Sequence, residues 1–192
     1  MKQNEKFEAR RQDLLQSVIS LSKDYDLINL SIRQLCESLN ISIGSFYHYF
    51  KDKNDMLMQV LYTIEDFVKN ECEGRFEDGW RHNLGIISKA FIEYNRRSGP
   101  QMVFLAQSPE TADTDYAKSK DKYTLVTVRA QFEKAIAEGE ISDKYNPDEL
   151  TQLFFAVIRG IIYNWAKNGG NEDIYIMGRI AFDVFISGIT QI

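Results

Sequence analysis

Three prolines, two cysteines and two histidines are all that 192 residues contain of those types, and each scarcity excludes something. So few prolines, with no alternating β-branched runs, leave long helical patterns uninterrupted, and the expected class is all-α. Cys36 and Cys72 are isolated from each other and from the histidines, so neither a disulfide framework nor a zinc-ligand spacing can be written. Cys36 falls on an apolar helix face and reads as a small buried hydrophobe; Cys72, in the charged run Lys69-Asn-Glu-Cys-Glu, leaves a redox role as the weaker alternative. His48 and His82 lie far apart and neither belongs to an E-x-x-H pair, so no metal is expected. There is no G-x-x-x-x-G-K-S/T loop, no G-x-G-x-x-G and no nucleophile elbow. No cofactor and no enzyme activity are therefore expected. No apolar run reaches the roughly 18 residues of a membrane span. The polar start MKQNEKFEARRQ lacks the apolar region of a secretory signal, so a cytoplasmic chain without a membrane partner is expected.

What is present is a composition of 44% hydrophobic and 27% charged residues, that of a globular chain able to bury a core. Charge is unevenly spread. The first 58 residues are neutral, with Lys2, Lys6, Arg10, Arg11, Lys23, Arg33, Lys51 and Lys53 balancing the acids, and the remainder carries the whole net charge of −5. Any nucleic-acid contact by the first part would rest on a few placed cations rather than on a broad basic field.

The most informative stretch is residues 31–55, SIRQLCESLNISIGSFYHYFKDKND. Ser31 with Gln34 three residues later has the spacing of a capping box, and Leu30 with Leu35 that of a hydrophobic staple. Ile32, Leu35, Cys36 and Leu39 then share one helical face. Asn40 can take the left-handed conformation that ends a helix, and Ser42 is placed to cap the next. In that second helix Phe46 and Phe50 can face the core, which leaves Ser42, Gly44, Ser45, Tyr47 and His48 pointing elsewhere. Small polar groups, a glycine and amphipathic rings on one face suit a helix that approaches a sugar-phosphate backbone and base edges. The pattern is a helix-turn-helix.

Over residues 7–62 the chain resembles the N-terminal domain of the TetR family of one-component transcriptional regulators. The resemblance rests on Ile41-Ser42, on Gly44-Ser45-Phe46-Tyr47-His48-Tyr49-Phe50, on Lys53 and on Leu57. Asn40 stands where a turn glycine is common, and Ile43 where Lys or Pro is frequent. The resemblance implies an N-terminal three-helix DNA-binding domain (residues 1–52) and a C-terminal helical ligand-binding and dimerisation domain (residues 53–192), with about nine helices in all. Ser31, Arg33, Ser42, Ile43, Gly44, Ser45, Tyr47, His48, Tyr49 and Lys53 are then the expected DNA-binding residues.

Along the chain, residues 5–23 form the expected first helix, with Leu14, Leu15, Val18 and Ile19 on its apolar side. Asp52 is placed to cap a fourth helix reaching Cys72, and residues 73–80 break the pattern. A fifth helix over 81–97 ends at Ser98-Gly99-Pro100, and a short one follows over 101–107. A seventh helix is expected over 116–138, with Gly139 beyond its end. Asn146-Pro147-Asp148-Glu149 is a helix start, and Asn168-Gly169-Gly170 a stop. A last helix is expected over 173–190.

The last two helices are apolar on more than one side, which suits burial on two faces. In the resembled family they pair across a two-fold, so Phe154, Val157, Ile158, Ile161, Ile162, Trp165, Met177, Ala181, Val184 and Phe185 are the expected homodimer interface. Gly160, Gly178 and Gly188 would permit close helix approach. A ligand cavity between helices is expected to draw on Phe91, Met102, Phe104, Tyr123, Arg129, Phe155, Arg159 and Tyr163. Arg129 and Arg159 interrupt apolar runs; each reaches solvent, pairs with an acid such as Glu133 or points inward, and an inward one calls for a ligand carboxylate or phosphate. The expected function is a ligand-responsive repressor that binds double-stranded DNA at an inverted repeat as a homodimer and is released by a small molecule. The rival is a small-molecule- or partner-binding helical protein whose helix-turn-helix no longer reads DNA.

Overall fold

Ser31 does cap its helix in the computed structural model, which describes residues 2–108 and 119–190. Its hydroxyl accepts the Gln34 amide at 3.2 Å while the Gln34 side chain accepts the Ser31 amide at 2.9 Å, so two of the orphan donors at the helix start are satisfied reciprocally. The described residues form nine helices and no strand: α1 (Lys2–Leu21), α2 (Ile32–Ser38), α3 (Ile43–Tyr49), α4 (Lys53–Cys72), α5 (Trp80–Ser98), α6 (Pro100–Ala106), α7 (Tyr123–Ala137), α8 (Pro147–Lys167) and α9 (Ile174–Thr190). Asn40 takes φ 51°, so the turn between α2 and α3 is made by the residue type that tolerates it best after glycine. Ser42, Asp52 and Asn146 cap α3, α4 and α8 as their positions imply.

Two apolar cores are built on this frame. The first gathers Leu14, Leu15 and Val18 of α1, Leu35 and Cys36 of α2, Phe46 of α3, Phe50, and Met56, Leu57, Val60 and Leu61 of α4. The second gathers Trp80, Leu84 and Ile87 of α5, Val128 and Phe132 of α7, Phe154, Phe155, Ile158 and Ile162 of α8, and Ile186 of α9. Two helices belong to both. α4 gives Met56 to Leu61 to the first core and Val68 and Cys72 to the second, while α6 gives Met102 and Leu105 to the first and Val103 to the second. Full burial of each such side chain stabilises by about 1.5–3 kcal/mol, so moving α4 in one core strains the other.

The seventh helix starts later than its pattern implies. Part of the expected span, residues 116–118, lies outside the described residues, but 119–122 are described and are not helical. The Ser119 hydroxyl accepts the Asp121 amide at 3.3 Å, a local bond that competes with the helical one. The helix begins instead where Glu65 of α4 supplies its cap, accepting the Thr124 amide at 2.9 Å and the Thr124 hydroxyl at 3.1 Å. A cap from a distant helix leaves no local signal.

Gly178 is the close-approach glycine of the last helix, and it faces inward. A Cβ there would run into the Ile92 Cδ1 of α5, whereas Gly160 and Gly188 face open space in the chain.

Candidate functional site

α3 is held by its buried side and offers the other. Phe46 and Phe50, 5.5 Å apart between ring centroids, are fully buried, while Ser42, Ile43, Gly44, Tyr47 and His48 are exposed and Ser45 is half-buried. Tyr47 keeps 54% of its surface and stands edge-on to Phe46. Ser42 and Ser45 hydroxyls lie 2.9 Å apart, and the Ser45 amide donates to Ser42 Oγ. A Cβ on Gly44 would meet nothing nearer than Ser42 Oγ at 3.8 Å, so nothing inside the chain requires glycine there. Glycine inside a helix costs roughly 0.5–1 kcal/mol, which points outward for its reason.

Phe7 of α1, not singled out among the contact residues, stacks on Tyr49 at 5.0 Å and meets His48 edge-on at 5.2 Å. Tyr49 is thereby half-buried and acts as the clamp between α1 and α3. Ser31 and Arg33 are exposed at the start of α2. Arg33 pairs with Glu37 at 3.0 Å on the open surface, a bond weak enough to be exchanged for a phosphate. The expectation for Lys53 changes. Its Nζ donates to the carbonyls of Ile28 and Leu30, which pins the start of α4 to the α1–α2 connection and leaves one of three ammonium donors. Burial lowers its pKa, opposed by Asp26.

A cavity of about 450 Å³ opens between α4, α5, α6 and α8. Its floor is buried and mostly apolar: Leu61, Phe91, Met102, Val103 and Ile162, with the Tyr94 ring. Its mouth carries Gln107, Lys122, Arg159 and Tyr163, with Glu65 and Thr124 beside them. Phe91, Met102, Arg159 and Tyr163 all line this cavity. Phe104 and Phe155 stand behind the wall, their rings 6.0 Å from Tyr163 and 5.5 Å from Phe91. Tyr123 and Arg129 do not line it. Tyr123 packs half-buried on the second core, and Arg129 is a surface residue paired with Glu133 and Asp148, each at 2.8 Å. Glu65, Lys122 and Thr124 were not foreseen. The only trace of Glu65 in the sequence is a carboxylate directly after Ile64 in an apolar stripe.

The thiols stay out of this chemistry. Both cysteines are buried, and burial pushes the Cys72 thiol up to about 11 and raises that of Cys36. Neither is a ready thiolate, which removes the redox alternative for Cys72 at neutral pH.

On the last two helices the outward face differs from the expected one. Phe154, Ile158, Ile162 and Trp165 are buried in the chain's own core, because their repeat follows the inner side of α8. Val157, Ile161, Ala181 and Phe185 are half-buried, and Met177 and Val184 are exposed. Leu153 of α8 and Ile176 and Ile180 of α9 are also exposed, and complete an apolar band with Met177 and Val184.

The model of the family described as bacterial regulatory proteins, tetR family, matches residues 22–60, a span that takes in α2, α3 and the start of α4. The HTH-type transcriptional repressor KstR2 of Mycolicibacterium smegmatis is 23% identical, over 95% of this chain and 92% of that protein. Residues 22–60 are thus a TetR-family N-terminal segment, and the chain as a whole is similar to TetR-family regulators. Among solved structures, the transcriptional regulator FadR from Bacillus subtilis, in complex with stearoyl-CoA, is similar with a TM-score of 0.77 at 15% identity, covering 93% of this chain and 98% of that one. The ketosteroid transcriptional regulator KstR2 of Mycobacterium tuberculosis is similar with a TM-score of 0.66 at 18% identity, covering 95% and 96%. Like the TetR-family regulators it resembles, the chain is a DNA-binding regulator and not an enzyme. Among the described residues no helix is long and apolar enough to cross a membrane.

Proposed function

We propose that this TetR-family chain is a ligand-responsive repressor that binds an inverted-repeat operator as a homodimer and releases it when a small molecule fills the cavity. The observation that carries the reading is the outward face of α3, where Ile43, Gly44, Tyr47 and His48 are exposed and nothing inside the chain requires the glycine at 44. On this reading residues 1–52 form the DNA-binding unit and 53–192 the effector and dimerisation unit. Each α3 lies in a major groove, with the half-sites about 34–36 Å apart. Ser42, Tyr47 and His48 take phosphates, Ser45 and Tyr47 reach base edges, and Ser31 and Arg33 hold the backbone. The band of Leu153, Ile176, Met177, Ile180 and Val184 is the dimer face, which supports pairing of α8 and α9 with their copies.

Ligand in the cavity acts through α4, which gives Leu61 to the cavity wall and belongs to both cores. It shifts the equilibrium only as far as its affinities for the two head spacings differ. The similar FadR structure holds stearoyl-CoA, which favours an effector cavity in the same fold. The test is selection of bound duplexes from a random DNA pool at moderate salt. An inverted repeat is the expected product; recovery of nothing from a folded dimer overturns the reading. The neutral charge of the first 58 residues favours the rival, a partner-binding protein that no longer reads DNA, and that rival expects no steep salt dependence of DNA binding.

A further inference from the structure

The mouth of the cavity has a charge arrangement that its apolar floor does not need. Lys122 is half-buried immediately before α7 and Arg159 stands on the facing turn of α8, its guanidinium 5.4 Å from the Phe155 ring centroid. Lys122 is close enough to Arg159 to feel its charge: its pKa is lowered first by burial and then by Arg159, with Glu65 opposing. Two cations that line the same apolar cavity make one part of its wall electropositive, which suits an anionic head group there. The same corner already holds a carboxylate. Glu65 reaches from α4 to the start of α7 and accepts both the amide and the hydroxyl of Thr124. A carboxylate at the first turn of a 15-residue helix, beside a lysine and an arginine, is a built anion position occupied from within the chain.

We propose that the effector is an amphipathic anion, with an apolar body on Leu61, Phe91, Met102 and Ile162 and a carboxylate or phosphate head between Lys122 and Arg159, where it competes with Glu65. The inference rests on the reading of this cavity as the effector site. It adds the chemical class of the ligand and the contact through which it acts. Glu65 is on α4, so an arriving anion that displaces it from Thr124 loosens α4 from α7 at one end of the cavity while the apolar body presses on α4 at the other. A neutral ligand of the same shape fills the floor but leaves Glu65 in place.

The experiment uses the full chain and four probes with ten-carbon chains: decanoate, decyl phosphate, decanol and decyltrimethylammonium. Binding is followed by calorimetry and by thermal shift. At least one anion is expected to bind saturably, and decanol and decyltrimethylammonium at least tenfold more weakly. Whether decanoate or decyl phosphate binds tighter identifies the head. Arg159→Met and Lys122→Met each lower anion affinity about tenfold and leave decanol binding unchanged, whereas Arg159→Lys keeps part of the anion preference. Glu65→Gln strengthens anion binding, because the competing charge is gone. Equal binding of decanol and the anions, or unaltered anion binding in both Met variants, overturns the anion site; weaker anion binding in Glu65→Gln overturns the competition. If a Met variant fails to fold, the ratio of anion to decanol binding in the unaltered chain and in Arg159→Lys decides. Preferential anion binding with no effect on a bound inverted repeat leaves the site standing and sinks the effector reading. A chain that binds its repeat but no anion does the reverse.

Discussion

The hydroxyls of Thr63 and Tyr94 lie 2.6 Å apart in the interior and join α4 to α5. Thr63 Oγ1 donates to the Val60 carbonyl at 2.7 Å and Tyr94 reaches the same carbonyl at 3.2 Å, so the three groups form one buried polar knot. Tyr94 also closes the floor of the cavity, so the knot ties α4 where ligand would press. Tyr94→Phe and Thr63→Val are each expected to cost about 0.5–1.5 kcal/mol in urea unfolding, and the double variant less than their sum. Strict additivity would show that the two hydroxyls do not act together.

Tyr47→Ala removes the largest exposed side chain of α3 and leaves its buried anchors Phe46 and Phe50 in place. Affinity for the selected duplex should fall by about 1–3 kcal/mol, with the helical circular dichroism and the melting temperature unchanged. Unchanged affinity would remove Tyr47 from the DNA contact.

Val184 is 67% exposed in the chain, so Val184→Asp should leave the subunit folded and yield monomers in sedimentation. Ile162→Asp, placed 2% exposed in the core, should unfold the chain. A Val184→Asp protein that still sediments as a dimer would move the interface off this band.

Glu93 of α5 accepts from Arg96 at 2.8 Å and Arg97 at 2.5 Å, and takes the Tyr175 hydroxyl of α9. The Arg96 hydrogen bond is the main cause holding its carboxyl below the usual range, against an opposing effect of burial. A depressed folded-state pKa means the contribution to stability is fully present above the ordinary glutamate value of about 4.3 and is lost as pH falls through the lowered one. Glu93→Gln should therefore be less stable than the parent at pH 7, and the difference should shrink in acid. A difference that stays constant down to pH 2 would show that the charge of Glu93 contributes nothing.

What the sequence alone determined is what is local. The capping box of Ser31 and Gln34, the left-handed Asn40, the Ser42 and Asp52 caps and the buried pair Phe46 and Phe50 each depend on residues within a few positions of one another. They fix the helix-turn-helix and the orientation of its outer face. Periodicity likewise located α8 and α9 and their two-sided apolar character.

Tertiary structure decided the rest. Phe154, Ile158, Ile162 and Trp165 had the pattern of a buried face, but whether the cover comes from the same chain or a copy depends on how α5 and α7 pack against them, which no period of 3.6 encodes. Arg129 and Arg159 look alike in sequence, and only the fold sets one against Glu133 and Asp148 and the other at the cavity mouth. Lys53 turns to the carbonyls of Ile28 and Leu30 because the α1–α2 connection passes its helix start. Glu65 meets Thr124 across 59 residues of chain, and such a contact exists only once the helices are packed.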